Sequence, residues 1–178
     1  MNNWRQSLGE IVRFIVITVI VVVPIRAYVA QPFIVSGKSM VPTFADGEYL
    51  VIDELSYHFR PPTRGEVIVF RYPNDPKKFF IKRVIGLPGE TVEVRNGVVW
   101  IEQGGQQTAL TENYLATAED NSPPTTLGSK EYFVMGDNRP MSLDSRSWGP
   151  VNSRLITGRV LLRLLPLSEI AFLPGQSQ

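Results

Sequence analysis

The feature that most constrains this chain is a long apolar segment near its N-terminus, IVRFIVITVIVVVPIRAYVA at residues 11–30. Its only charged residues are Arg13 and Arg26, which lie close to the two ends. A helix of about twenty residues is about 30 Å long, which matches the hydrocarbon layer of a bilayer. We therefore predict a transmembrane anchor at 11–30. Residues 1–10 would be cytoplasmic, because basic residues favour that side.

Two other interpretations of this segment remain open. The uninterrupted apolar stretch from Phe14 to Ile25 is short enough for a cleavable signal peptide that ends at Ala30. Against this, Tyr28 stands where a cleavage site favours a small residue. A buried pair of strands would also be rich in Ile and Val, but no turn residues divide the segment.

The rest of the chain, 31–178, consists of short apolar runs separated by glycine and proline. VIVFRY (67–72) and KFFIKRVIG (78–86) have the composition of strands. TVEVR and VVWIE flank the pair Asn96-Gly97, which favours a two-residue type I′ hairpin turn. Further strands are predicted at 48–55, 131–137 and 160–167.

A helical period after residue 31 is found only, and weakly, around Leu110–Glu119. This region lies within 103–130, a segment rich in Gly, Thr, Ser and Pro that we interpret as a variable insertion. The predicted fold class is therefore mostly β. We expect an antiparallel sheet or barrel-like domain with a small β-rich insertion, behind one N-terminal transmembrane helix.

Composition argues against several classes of function. The chain has no cysteine, which excludes disulfides, thiol catalysis and cysteine-bound zinc. Its single histidine, His58, also argues against the usual catalytic metal sites. A net charge of +1 gives no basic surface for nucleic acid. We expect neither a metal nor a nucleic-acid partner.

Residues 36–43, SGKSMVPT, place Ser39 in a turn without a histidine to accept its proton. Lys38 is its neighbour, but adjacent side chains of an extended chain point to opposite faces. A solvated lysine with a pKa of about 10.4 is neutral in about one molecule in 2,500 at pH 7, a penalty of about 4.6 kcal/mol. Lys38 is therefore a poor base.

Lys82 is a better candidate, because it lies in the apolar run FFIKRVIG. Burial disfavours the ammonium form and lowers a lysine pKa, and a desolvated lysine can replace histidine in acyl transfer. The alternative is that Lys82 faces solvent on an amphipathic strand. A similar choice applies to GDNRPMSLDSRSWGP (136–150), whose closely spaced acidic and basic residues form either an exposed loop or a buried network of ion pairs.

Three blocks of sequence follow the predicted anchor: SGKSMVPT (36–43), FIKRVIGLPGE (80–90) and GDNRPMSLDSRSWGPV (136–151). In this order they resemble the membrane-bound type I signal peptidases, and RGEVIVFRYP (64–73) matches the strand between the first two. The resemblance implies a serine endopeptidase that removes N-terminal signal peptides from exported preproteins, cleaving after the small residue of an Ala-X-Ala site. No cofactor is implied. The catalytic domain would lie on the extracytoplasmic or lumenal side of a plasma or internal photosynthetic membrane.

The resemblance also implies roles for individual residues. Ser39 matches the nucleophile, Lys82 the general base, and Ser142 the serine that orients the lysine by a hydrogen bond. Residues that support the site correspond to Asp137, Asp144, Arg83 and Arg146. Residues that shape the substrate pockets correspond to Phe33, Val35, Met40 and Ile81.

The oxyanion site has one donor implied by the resemblance, the backbone N–H of Ser39. Some relatives carry a hydroxyl two residues before the nucleophile, where this chain has Gly37. Ser36 is one residue out of register, so the second donor is unassigned.

Two other classes of function compete with this interpretation. Other serine/lysine hydrolases include the penicillin-binding enzymes, which need a lysine three residues after the serine, where this chain has Pro42. Self-cleaving repressors belong to the same class but carry a DNA-binding segment. A non-catalytic, membrane-anchored β domain that binds a protein partner is the second class. Cleavage of an Ala-X-Ala peptide separates it from an enzyme.

Overall fold

The structure, a computed structural model, describes residues 3–24, 31–115 and 120–175 of the chain. Helix α1 (Asn3–Pro24) covers most of the predicted anchor, and residues 25–30 lie outside the described residues. Across the described ranges, no helix is both long enough and apolar enough to cross a membrane.

The body of the described chain is built from strands, which confirms the prediction of a mostly antiparallel β fold. The strands are β1 (Gln31–Ile34), β2 (Tyr49–Asp53), β3 (Val67–Tyr72), β4 (Asp75–Gly86), β5 (Thr91–Arg95), β6 (Val98–Gln103), β7 (Gln106–Ala109), β8 (Ser122–Thr126), β9 (Glu131–Met135), β10 (Val151–Asn152), β11 (Ile156–Leu165) and β12 (Ala171–Phe172). A single-turn helix, α2 (Ser145–Trp148), and short 3₁₀ turns at Ser56–His58, Arg139–Met141, Ser153–Leu155 and Leu167–Glu169 connect them.

The larger sheet has the strand order β1-β2-β11-β3-β4-β9-β10, and β12 pairs with β11. β3 lies near its centre and is apolar on both faces: Val67 and Val69 pack into one core, while Ile68 and Phe70 pack into another. This division follows from the period of two along a strand. Because β3 pairs with β4, the central strand also sets the position of Lys82, which lies opposite Ile68.

The smaller sheet has the order β7-β6-β5-β8 and grows out of the predicted hairpin. Asn96 and Gly97 have φ angles of 49° and 77°, as a type I′ turn requires. The insertion 103–130 supplies β7 and β8, one on each side of the hairpin. Gly86 ends β4 at the junction, where an added Cβ would lie 2.3 Å from Cγ2 of Val92.

Most predicted strands agree with the observed ones, with differences at the ends. The strand predicted at 160–167 begins earlier, at Ile156, and ends at Leu165, because Pro166 has no N–H for a ladder. No helix forms over 110–115, the described part of the segment with weak helical period. Residues 116–119 lie outside the described residues.

Candidate active site

Two side chains from distant parts of the chain meet beside the larger sheet. Ser39 lies in the turn that follows β1, and Lys82 lies within β4. Nζ of Lys82 is 2.6 Å from Oγ of Ser39, within hydrogen-bond distance, although the residues are 43 positions apart. Lys38, the sequence neighbour of the serine, is exposed. The geometry therefore pairs the serine with Lys82.

The Lys82 side chain is surrounded by protein, since the residue is only 4% exposed. Its Nζ donates to the carbonyl oxygen of Ile81 at 2.9 Å and lies 5.4 Å from the centre of the Phe80 ring. Desolvation lowers the pKa of Lys82 from 10.5 to about 8, and the charges of Asp144 and Asp137 oppose that fall only in part. A pKa of about 8 leaves a tenth of the amines neutral at pH 7, a penalty of about 1.4 kcal/mol.

A cleft of about 470 Å³ opens beside the two side chains. Phe33, Val35 and Ile81, three of the residues predicted to shape substrate pockets, line its wall. Met40, the fourth, does not line it. Met40 is 1% exposed and packs in the core beneath the nucleophile with Phe44 and Leu50, because its neighbour Ser39 takes the position that faces the cleft.

Arg83 and Asp137 form a buried ion pair beside the cleft, and both side chains are 1% exposed. Nε and Nη2 of Arg83 donate to the two carboxylate oxygens at 2.8 and 2.6 Å. Thr43 Oγ1 donates to the same carboxylate at 2.5 Å, and the carbonyl oxygens of Gly65 and Gly175 accept from Arg83 Nη1. These contacts tie the turn after the nucleophile to β4.

Asp144 and Arg146 form a second bidentate pair, with Nε to Oδ1 and Nη2 to Oδ2 both at 2.8 Å. Asp144 also caps α2 and accepts from the backbone N–H of Gly136 at 3.1 Å. Asp137, Asp144 and Arg146 thus lie in a buried or half-buried network, so the polar run 136–150 is not a solvated loop.

Ser142 lies near the nucleophile, but the predicted hydrogen bond to Lys82 is not formed. Among the described residues its buried Oγ has no hydrogen-bond partner. Gly136 separates it from the serine backbone, since a Cβ on Gly136 would lie 2.3 Å from Ser142 Oγ and 2.4 Å from the carbonyl oxygen of Ser39. Any side chain at position 136 would displace one of these two residues.

Residues 8–165 of the sequence match the family described as "Signal peptidase, peptidase S26". The chain is 39% identical to "Probable signal peptidase I-1" of Synechocystis sp. over 172 residues, which cover 92% of this chain and 86% of that protein. It is also 39% identical to "Signal peptidase I" of Leptolyngbya laminosa over 174 residues, 93% of this chain and 83% of that protein. This chain belongs to the signal peptidase family, peptidase S26.

A solved structure of a signal peptidase I from Enterococcus faecalis is 33% identical to this chain. It covers 56% of this chain and 97% of its own, with a TM-score of 0.47. Membership of the family makes this protein a peptidase.

Several residues that contact the candidate site of this signal peptidase were not predicted from the sequence. Asn138 donates from its backbone N–H to the carbonyl oxygen of Ser39 and from Nδ2 to that of Lys38, both at 3.0 Å. Thr43 and Asn138 stand inside the blocks that carry the resemblance, so their position was a usable signal. Glu112 and Tyr114, which contact the site from the insertion, stand in a polar segment with no such signal.

The structure leaves the second oxyanion donor unassigned, as the sequence did. Gly37 has a φ of +95°, and its N–H donates to Asp46 Oδ1 at 2.7 Å, so this amide already has an acceptor. Ser36 lines the cleft. No second donor is assigned.

Proposed function

We propose that this member of the signal peptidase family removes N-terminal signal peptides from exported preproteins. The reaction is an acyl transfer in which Ser39 is the nucleophile and Lys82 the general base. The observation that carries the proposal is the pairing of a buried lysine amine with the serine hydroxyl at 2.6 Å. An amine with a pKa of about 8 can accept a proton at neutral pH, as a general base must.

Each proton in the mechanism has a defined donor and acceptor. Neutral Lys82 accepts the proton of Ser39 while Oγ attacks the carbonyl carbon of the scissile bond. The lysine ammonium then donates this proton to the leaving amine, which leaves an acyl-enzyme. Lys82 next takes a proton from a water molecule that attacks the acyl carbonyl carbon, and the lysine ammonium returns this proton to Oγ of Ser39 as the signal peptide leaves. The Ser39 N–H stabilises the oxyanion, a contribution of about 3–4 kcal/mol for one such donor.

The cleft favours an extended peptide with small side chains near the scissile bond. Its walls come from β1 and β4, so a bound segment would run between two strands. Phe33, Val35 and Ile81 line it with bulky apolar side chains, which favours small side chains in a bound peptide. We propose cleavage after the second alanine of an Ala-X-Ala site.

Peptide cleavage by the full chain in detergent tests the proposed reaction. We expect wild type to cleave at the predicted bond, and Ser39→Ala and Lys82→Ala to lose activity by at least about 10³-fold, as for the loss of either member of a catalytic pair. Lys38→Ala is the matched control and should retain activity. Activity in Lys82→Ala together with its loss in Lys38→Ala would contradict the assignment of the base.

We also propose that residues 11–30 anchor the enzyme, with the catalytic domain, 31–178, outside the cytoplasm at a plasma or internal photosynthetic membrane. Support comes from α1, whose large apolar side chains from Leu8 to Ile20 are exposed, Phe14 by 73%. A shared membrane plane raises the effective concentration of enzyme and substrate.

Carbonate extraction of membranes that carry the full chain tests the anchor. We expect wild type to resist extraction. Ile17→Lys in the middle of α1 should weaken retention, because a lysine at the bilayer centre costs about 2.5–3.5 kcal/mol. Gln106→Lys, on exposed β7, is the control. Release of wild type by carbonate would contradict the anchor.

A further inference from the structure

The insertion 103–130 contacts the candidate site through buried polar contacts. Glu112 accepts from Nη2 of Arg139 at 2.5 Å, and these side chains are 5% and 1% exposed. The hydroxyl of Tyr114 donates to the same Glu112 carboxylate at 2.7 Å. The Tyr114 ring lies against Arg83, with 3.9 Å between the ring centre and Cζ. One short segment thus holds two of the buried arginines.

Arg139 transmits this contact to the nucleophile. Its Nε donates to the carbonyl oxygen of Gly136 at 3.0 Å, which fixes the start of the loop that follows β9. The next residues of that loop reach the serine, since the backbone N–H of Asn138 donates to the carbonyl oxygen of Ser39 at 3.0 Å. Glu112 is therefore linked to the Ser39 backbone through a single arginine and one loop.

A second link begins at Tyr114 and runs through Arg83. The arginine grips both oxygens of Asp137, whose carboxylate also accepts from Thr43 in the turn after the nucleophile. The aromatic ring covers the guanidinium on one side, a contact that is stronger when the cation is desolvated.

A third link begins at Asp120, at the far end of the insertion. Asp120 pairs with Arg146 through Nη1, and Arg146 holds Asp144 by the bidentate contact described above. Asp144 accepts from the N–H of Gly136. The three links converge on the loop that packs against Ser39.

We propose that Glu112, Tyr114 and Asp120 are positioning residues for the serine/lysine pair, so that the insertion is part of the catalytic apparatus. This inference rests on the proposed function. A buried arginine that loses its partner leaves an uncompensated charge, and the loop that it holds relaxes to solvate that charge. A small displacement of the nucleophile then lowers the rate of the chemical step more than it lowers substrate binding.

The Lys82 amine provides a second readout of the same positioning. The carboxylates that act on its charge are Asp144 and Asp137, each paired with an arginine that the insertion holds. If either arginine becomes mobile, the negative charge of its paired carboxylate is neutralised less well. Water also enters the space around the amine. Both changes favour the ammonium form, so the pKa of Lys82 should rise.

The experiment compares Glu112→Gln and Tyr114→Leu with wild type, all as full chains in detergent. Tyr114→Phe keeps the ring over Arg83 and should restore most of the activity. Glu102→Gln is the matched control: this glutamate belongs to β6, and its side chain bonds Gln107 on the neighbouring strand. The measurements are kcat and KM for an Ala-X-Ala peptide, the pH profile of kcat/KM, and the thermal midpoint.

We expect Glu112→Gln and Tyr114→Leu to lower kcat by about tenfold while KM changes by less than about twofold. In Tyr114→Leu, which uncovers the arginine that pairs with Asp137, the acid limb of kcat/KM should move to higher pH by about half a unit. Glu102→Gln should match wild type. The proposal would be overturned if the two variants fold, keep kcat within about twofold of wild type, and leave the acid limb unmoved.

A measurement independent of turnover separates this proposal from the proposed function. The pKa of Lys82 can be read by NMR from ¹³Cε-labelled lysine, with the signal assigned by its absence in Lys82→Met. We expect a higher pKa in Tyr114→Leu than in wild type, because Tyr114 covers the arginine that pairs with Asp137. An unchanged value overturns the positioning role even if wild type cleaves no peptide, whereas failure of wild type to cleave counts against the proposed function alone.

Discussion

Replacing Lys82 with methionine should stabilise the folded protein at neutral pH while abolishing activity. The Lys82 amine is buried away from solvent, and burial lowers its pKa from 10.5 to about 8. At 1.36 kcal/mol per unit, this fall corresponds to about 3 kcal/mol by which the charged lysine destabilises the fold at low pH. Methionine fills a similar volume without a charge.

The net gain is smaller than this, because the variant also loses two hydrogen bonds. Nζ bonds Ser39 Oγ and the carbonyl oxygen of Ile81, and each contact contributes about 0.5–1.5 kcal/mol. We therefore expect Lys82→Met to raise the free energy of unfolding by about 1–2 kcal/mol at pH 6–7.

The pH dependence of this gain in stability follows from the direction in which the pKa of Lys82 is shifted. The unfolded lysine holds its proton up to about pH 10.5, whereas the folded lysine releases it near pH 8. Between these values the unfolded wild type binds more protons, so the stability of wild type rises with pH. The gain from Lys82→Met should thus be full below pH 8, decline from pH 8 to 10.5, and then disappear or reverse.

Urea unfolding of the full chain in detergent, from pH 6 to pH 10, measures this effect. Lys38→Met removes an exposed lysine and is the matched control, which should change stability little at any pH. The reasoning is refuted if Lys82→Met is less stable than wild type at pH 6, or if its gain does not decline above pH 8.

Three further outcomes follow from the structure. The kcat/KM of wild type should rise with pH to a plateau above about 8, because the reaction needs the neutral amine; a limb near 10.5 in a pH profile would contradict a desolvated base. Gly86→Ala should lower the free energy of unfolding by about 1–3 kcal/mol in a urea titration, since its Cβ has no space, whereas Gly9→Ala, in open space, should not. Arg83→Lys keeps the charge but loses the two-point contact with Asp137, so it should destabilise by about 1–3 kcal/mol, and a neutral result would show that the contact is not held in solution.

Much of the sheet could be predicted from local patterns. VIVFRY at 67–72 is the strand expected, because a run of β-branched and aromatic residues bounded by turns has little alternative. The turn at Asn96-Gly97 followed from two residues that tolerate positive φ. By contrast, β8 contains Pro123 and Pro124, and only its place at the edge of the smaller sheet accommodates residues without N–H donors.

Local sequence patterns did not predict the surroundings of several site residues. The sequence left Lys82 either buried or on a solvent face, because its strand is apolar on both sides of it. Met40 was expected at the cleft and lies in the core instead. No motif or periodicity marked Glu112 and Tyr114 as site residues. Their partners Arg139 and Arg83 are 27 and 31 positions away along the chain.

By itself, the sequence determined the strands, the hairpin and, through its three blocks, the family and the identity of the paired serine and lysine. Each strand and turn depends on neighbouring residues, whereas the family and the serine/lysine pair were indicated only by the three blocks together, which span residues 36–151. The tertiary structure decided which polar groups are buried from solvent and which charged side chains form ion pairs. Burial of the lysine amine and the links from the insertion arise from strand pairing and packing between segments far apart in the chain, and no local pattern encodes those contacts.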